Sequence, residues 1–179
     1  MKIKEKIPGI NQIVPVVAVT ATLIYGGTTY RFIQEIPSWI LFLTFQEILS
    51  NYAQALLFNL VEVLLVIGLI VFINLLLPER VFFKMFVARG SLLTGFSLGY
   101  LMYLAYAIGQ SKLSQFPWHI FQWAPLIFPL IFLLAITLPY NRLIRKTAED
   151  FADRAIILLY VWGLLSVLGL LLFLYNNLF

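Results

Sequence analysis

Three polar side chains interrupt an otherwise apolar run and are the first residues in this sequence that could do chemistry. The run Ala55 to Leu77 reads ALLFNLVEVLLVIGLIVFINLLL and contains Asn59, Glu62 and Asn74. A carboxylate in such a run is costly in a membrane unless it is protonated or paired. We therefore predict that Glu62 faces the interior of a helix bundle, either as a proton-linked, cation-linked or ligand-binding group, or as a structural glutamate. The two asparagines could belong to the same site or could form hydrogen bonds between helices.

Tyrosines and a single histidine are the other candidate ligand-binding residues. Tyr100, Tyr103 and Tyr106 recur every three residues, and tyrosines suit a ligand cavity, helix packing or an interfacial belt. His119 is the only histidine. It could ligate one chlorophyll- or haem-type macrocycle or sense pH, but it could not build a multi-histidine metal centre. An ordinary interfacial histidine is the simpler interpretation, because His119 follows Pro117 at the predicted membrane surface.

The sequence lacks the motifs of most other catalytic chemistry. It has no cysteine, which excludes disulfides, thiolate metal sites, iron–sulfur clusters and cysteine nucleophiles. It also has no HExxH motif, no phosphate-binding loop with its lysine and no paired aspartates of the intramembrane-protease type. We therefore expect no enzymatic activity, and the sequence assigns neither a metal nor a cofactor.

The elements that must position these residues are membrane spans. The chain has 179 residues, of which 62% are hydrophobic and only 11% are charged. Soluble domains are typically about 45–50% apolar and about 25% charged. A helix needs about 20 apolar residues to cross the hydrocarbon core of a bilayer. We predict one all-α polytopic domain over residues 1–179, with five transmembrane helices at about 10–30, 55–77, 90–108, 118–138 and 155–175.

Two shorter segments are predicted to lie at the membrane surface. Residues 38–50 are too short to span, so we interpret them as an interfacial or re-entrant helix with Trp39 at headgroup level. The alternative is an N-terminal extension of the second span, which would make one bent helix. Residues 140–154 carry opposite charges four apart, for example Arg145 and Glu149. They predict a short cytoplasmic amphipathic helix, either a solvated connector or a docking site.

The distribution of positive charge predicts the orientation. With five spans, ten of the twelve lysines and arginines fall on one side of the membrane, and only Arg31 and Lys112 fall on the other. Cytoplasmic loops are enriched in these residues. The N-terminus is therefore predicted to be cytoplasmic and the C-terminus outside, in what we expect to be a bacterial cytoplasmic (inner) membrane. The net charge of +4 follows from this asymmetry and does not indicate nucleic-acid binding.

Small residues predict where helices pack closely. Ser91, Gly95 and Gly99 recur every four residues, and Gly163 and Ser166 share the last span. Such stripes let helices approach one another in a membrane. Together with the missing catalytic motifs, they favour a non-catalytic multi-pass subunit or scaffold of a larger membrane assembly. Its expected partners are the lipid bilayer and either other membrane subunits or further copies of this chain.

The main alternative is a small carrier or substrate-binding membrane component. Its site would be formed by Glu62, Asn59 and the tyrosines, and Pro125 and Pro129 would break the fourth span beside it. A pigment- or haem-associated subunit that uses His119 is a further alternative. No motif in the sequence identifies a transported molecule.

Overall fold

The computed structural model describes residues 8–78, 82–110 and 122–178, and these residues are almost entirely helical, without a strand among them. Within these ranges, five helices follow one another: α1 (Ile10–Trp39), α2 (Phe45–Leu76), α3 (Phe86–Gln110), α4 (Ala124–Thr137) and α5 (Arg142–Leu178). Short 3-10 turns at Phe83–Met85 and Leu138–Tyr140 lead into α3 and α5. The chain is therefore an all-α helical bundle, as its composition predicts.

Four of these helices are long and apolar enough to cross a membrane. They are α1, α2, α5, and α3 together with its preceding 3-10 turn. Helix α4 is apolar but has only 14 residues, fewer than the about 20 that a span needs. The predicted span 118–138 begins outside the described residues, so a fifth crossing remains a prediction, and so does the orientation in the membrane.

The structure divides the predicted surface helix at residues 38–50. Helix α1 continues to Trp39, and α2 begins at Phe45. The start of α2 is fixed by a reciprocal cap, in which the Thr44 hydroxyl accepts a bond from the Glu47 backbone N–H (3.4 Å) and the Glu47 carboxylate accepts one from the Thr44 N–H (2.7 Å). This capping box satisfies two donors that a helix start otherwise leaves unpaired. The structure thus differs from a separate helix over 38–50 and agrees, from Phe45 onward, with an extended second helix.

The charged stretch 140–154 is likewise not a separate helix. Helix α5 begins at Arg142 and continues for 37 residues, because no proline or glycine interrupts it before Gly163. Its length is about 55 Å at 1.5 Å per residue, so it exceeds the thickness of a hydrocarbon core. Among the described residues, only Arg145 and Glu149 form an ion pair, at 4.0 Å. The predicted amphipathic helix is therefore the charged first part of α5.

Helices consecutive in the chain run in opposite directions, whereas α1 and α5 run in the same direction: Ala18 and Val19 pack with Ala152 and Ala155, and Tyr25 contacts Ser166 further along both helices. Val16, Ile70, Leu93 and Ile131, one from each of the first four helices, share one core cluster. Further along the bundle, α1, α2 and α5 form a second cluster through Ile24, Tyr25, Leu56, Val63 and their neighbours. We call the end where α2 joins α3 and α4 joins α5 the basic end, because the described cations there are Lys84, Arg89, Arg142, Arg145 and Lys146.

Candidate functional site

A groove between α1, α2 and α3, here called the Glu62 groove, contains the most chemically capable of the predicted residues. It has a volume of about 500 Å³ and opens at the surface of the bundle. Its polar side chains are Thr28 and Arg31 from α1 and Glu62 from α2. The rest of its wall is small or apolar: Ile24, Gly27, Leu65, Val66, Leu98, Leu101, Met102 and Ala105. The groove therefore places one base and one acid on apolar walls.

A hydrogen bond beside this groove joins its two polar helices. The Thr28 hydroxyl donates to Asn59 Oδ1 at 2.9 Å. Asn59 is only 4% exposed, and its Nδ2 has no hydrogen-bond partner among the described residues. Residues three apart share a helix face, which is why Thr28 and Arg31 on α1 line the groove together. The amide of Asn59 thus holds α1 against α2 while keeping a donor unused.

Glu62 is exposed instead of enclosed, which differs from the expected orientation. The inward face of α2 consists of Ile48, Ala53, Leu56, Asn59, Val63, Ile70 and Asn74. Glu62 precedes Val63 by one residue, and one residue turns a helix by about 100°. The nearby Leu60, Val61, Leu64 and Leu65 are exposed as well. The carboxylate therefore lies within an apolar surface that lipid or another protein would contact.

Arg31 and Glu62 carry opposite charges on the same groove but do not form an ion pair. The only pair found within 4.0 Å in the described parts of the chain is Arg145 with Glu149. Arg31 was predicted only as one of two cations on the outer side, so its place beside Glu62 is a finding of the structure.

The other predicted polar residues lie away from the groove. Asn74 is buried about 18 Å from Glu62 along the α2 axis, so it does not share the site. His119 lies outside the described residues, and a macrocycle site there remains a prediction. Among the residues that the structure describes, no group of three histidine, cysteine or acidic side chains could hold a metal ion.

The tyrosines of α3 pack on α4 or face outward instead of lining the groove. Tyr100 packs edge-on against Phe128 of α4, with ring centroids 5.6 Å apart. Tyr103 and Tyr106 are exposed. This arrangement matches the packing and interfacial interpretation better than a tyrosine-lined cavity, since aromatic pairs commonly stabilise helix contacts in this geometry.

The glycines of the predicted stripe form no close helix contact among the described residues. A Cβ added to Gly95, Gly99 or Gly163 would meet no heavy atom within 4 Å. Ser91 is buried, and its hydroxyl has no hydrogen-bond partner among the described residues. Contact between this stripe and a second chain remains a prediction.

Ser166, in contrast, does join two helices. Its hydroxyl donates to the Trp162 carbonyl oxygen at 2.8 Å, so it accepts from the Tyr25 hydroxyl, which is 2.6 Å away. The Tyr25 and Trp162 rings stack with centroids 5.4 Å apart. This buried contact fixes α1 against α5 at the level of the second core cluster.

Arg89 is a candidate functional residue that sequence reasoning counted only as one of the cytoplasmic cations. Its side chain is fully buried at the basic end. None of its three guanidinium nitrogens has a hydrogen-bond partner among the described residues. The sequence signal was the apolar stretch MFVA, which lies between the exposed Lys84 and Arg89. The two cations are therefore more than one helical turn apart.

We expect the hydrogen bond between Thr28 and Asn59 to contribute modestly to stability. In a double-mutant cycle of Thr28→Val and Asn59→Leu, the coupling free energy should be about 0.6 kcal/mol and at most about 1.7 kcal/mol, the range of interhelical hydrogen bonds in membrane proteins. Unfolding in mixed detergent micelles would measure it. A cycle with Thr22→Val, whose hydroxyl has no partner among the described residues, is the control and should show no coupling. Equal coupling in both cycles would contradict the assignment.

Comparison with known proteins finds no matching family model, no matching curated protein and no matching solved structure.

Proposed function

We propose that the chain is a non-catalytic, multi-pass membrane subunit or scaffold, and that another membrane helix contacts it along the Glu62 groove. The observation that carries this proposal is the exposed carboxylate of Glu62 within the apolar surface of α2. A carboxylate facing lipid is costly, and ionisable groups in membrane helices normally face protein or water. A partner helix that donates to Glu62 would remove this cost.

The shape of the groove supports the same conclusion. It opens at the surface of the bundle, and it is lined by three helices of this chain. Its wall also contains the small residues Gly27 of α1 and Ala105 of α3. Small residues allow a helix from another subunit to approach closely. The basic end, with Lys84 and Arg142 exposed, supports a cytoplasmic position for that end, in agreement with the proposed N-in orientation in a bacterial cytoplasmic membrane.

The assembly is testable by charge reversal. We expect the protein extracted from its own membrane in mild detergent to contain a second chain, or a second copy, at a fixed ratio in native mass spectrometry. Glu62→Lys should weaken this assembly by about tenfold or more, because a like-signed or unpaired charge would then face the partner. Glu35→Lys is the matched control, since Glu35 is exposed on α1 and does not line the groove. A monomer in every sample would contradict the proposal.

A second candidate function is favoured by one observation, the opposite charges of Arg31 and Glu62 on one groove with Thr28 beside them. Such a site suits a small zwitterionic molecule, as in a carrier or substrate-binding membrane component. A further variant, Glu62→Gln, distinguishes the two functions. A carrier requires that Glu62→Gln abolish uptake of a zwitterion by proteoliposomes while leaving assembly intact, and unchanged uptake in this variant would remove the carrier.

A further inference from the structure

The buried guanidinium of Arg89 is the strongest unexplained feature of the molecule. The residue is 0% exposed, and Nε and both terminal nitrogens lack a hydrogen-bond partner in the described parts of the chain. Arginine stays charged even when buried, and an unpaired buried charge is strongly destabilising. An anion bound at this guanidinium would supply the hydrogen-bond acceptors that the three nitrogens lack.

An aromatic side chain covers this guanidinium. The carbon at its centre lies 5.2 Å from the centroid of the Tyr140 ring, a distance typical of a cation–π contact. Tyr140 belongs to the 3-10 turn Leu138–Tyr140 and is 67% exposed. Because one face of the ring lies over Arg89 and the rest of the side chain is exposed, Tyr140 separates the guanidinium from the surface on this side of the bundle.

An apolar groove begins about one helical turn after Arg89 on α3 and just after the start of α5. This second groove, here called the α5 groove, has a volume of about 540 Å³ and lies between α1, α3 and α5. Leu92, three residues after Arg89, and Leu143, three residues after Tyr140, are part of its wall. On α3, the step from Arg89 to Leu92 covers about 4.5 Å along the helix axis. One molecule could therefore place an anionic head at Arg89 and an apolar tail in the α5 groove.

We propose that Arg89 binds the phosphate of a phospholipid whose acyl chain occupies the α5 groove. The guanidinium offers planar, paired donors that match phosphate oxygens. The location also fits, because Arg89 lies at the basic end near the start of α3, where exposed Lys84 and Arg142 attract anionic headgroups. Tyr140 acts as the cover of the headgroup site. This proposal does not depend on the proposed function, which concerns the Glu62 groove on the other side of α3 and α1.

The test compares lipids that differ only in the phosphate. Lipid-stripped protein in detergent is titrated with dioleoylphosphatidylglycerol, with dioleoylglycerol and with inorganic phosphate, and binding is measured by native mass spectrometry and by the phosphorus resonance of the bound lipid. We expect one phospholipid to bind per protein chain, at least about tenfold more tightly than the phosphate-free lipid. Equal binding of the two lipids, or binding of inorganic phosphate alone, would overturn the proposal.

Two variants test the two halves of the site. Arg89→Gln should reduce phospholipid affinity to that of dioleoylglycerol and abolish the shift of the phosphorus resonance. Gly95→Leu should weaken the binding of both lipids, because Gly95 lines the α5 groove and the leucine would fill it. The fold should tolerate the change, since a Cβ at this position meets no described atom within 4 Å. Gly99→Leu is the control on the same helix and should bind normally. Should Arg89→Gln fail to fold, Gly95→Leu decides, since unchanged lipid binding in that variant would refute the site.

Discussion

Replacing Phe82 by alanine is expected to destabilise the folded chain by about 3–5 kcal/mol, the range for truncating a fully buried phenylalanine. Phe82 is 0% exposed, and its ring packs edge-on against Phe86 with centroids 6.0 Å apart. It belongs to the core cluster that joins the first four helices at the basic end. The alanine would leave a cavity in that cluster, and because Phe82 directly precedes the 3-10 turn into α3, the start of that helix would lose its anchor.

The measurement is the free energy of unfolding in mixed detergent micelles, followed by tryptophan fluorescence and by helical circular dichroism. Phe42→Ala is the matched control, because Phe42 is 85% exposed in the turn between α1 and α2 and its truncation removes no buried contact. We expect the control to change stability by less than about 0.5 kcal/mol. Similar losses for both variants would mean that Phe82 is not part of the core.

The helical, membrane-type architecture could be predicted from composition alone, but the facing of the helices could not. In α2 the exposed Leu60, Leu64 and Leu65 are as apolar as the buried Leu56 and Val63. A helix that is apolar all round has no hydrophobic stripe to mark its inward face, and lipid provides no hydrophobic drive for burial. The direction of Glu62 therefore depended on packing geometry that the sequence pattern does not encode.

The predicted boundaries of α2 and α5 were wrong for a different reason. The length and charge of each segment were given more weight than the local signals that start or end a helix. The residues TFQE at 44–47 form a capping box, the standard start of a helix, yet residues 38–50 were interpreted as a surface segment because they are too short to span. In 140–154 the charges suggested a separate helix, although no residue in that stretch ends one. The sequence singles out Asn59 and Glu62 as polar residues in an apolar run. Their surroundings, including Thr28 and Arg31 on α1, required the tertiary structure.

Replacing Gly169 by valine is expected to destabilise the fold by about 1–3 kcal/mol, the usual cost of overpacking. A Cβ at this position would lie 3.2 Å from the Ala53 carbonyl oxygen and 3.4 Å from Leu56 Cβ. The oxygen belongs to the backbone of α2, so it cannot move aside as a flexible side chain would. The two further methyl groups of valine would force α5 away from α2 at this contact.

The matched control is Gly163→Val on the same helix, where an added Cβ meets no heavy atom within 4 Å. Both substitutions change the helix propensity of α5 by the same amount, so the difference between their free energies of unfolding isolates the contact with α2. The pair also separates two accounts of helix packing. The sequence pattern selected Gly163 as a packing glycine of this helix, whereas the structure assigns the close approach to α2 to Gly169. Greater destabilisation by Gly163→Val would therefore support the pattern and contradict the observed contact.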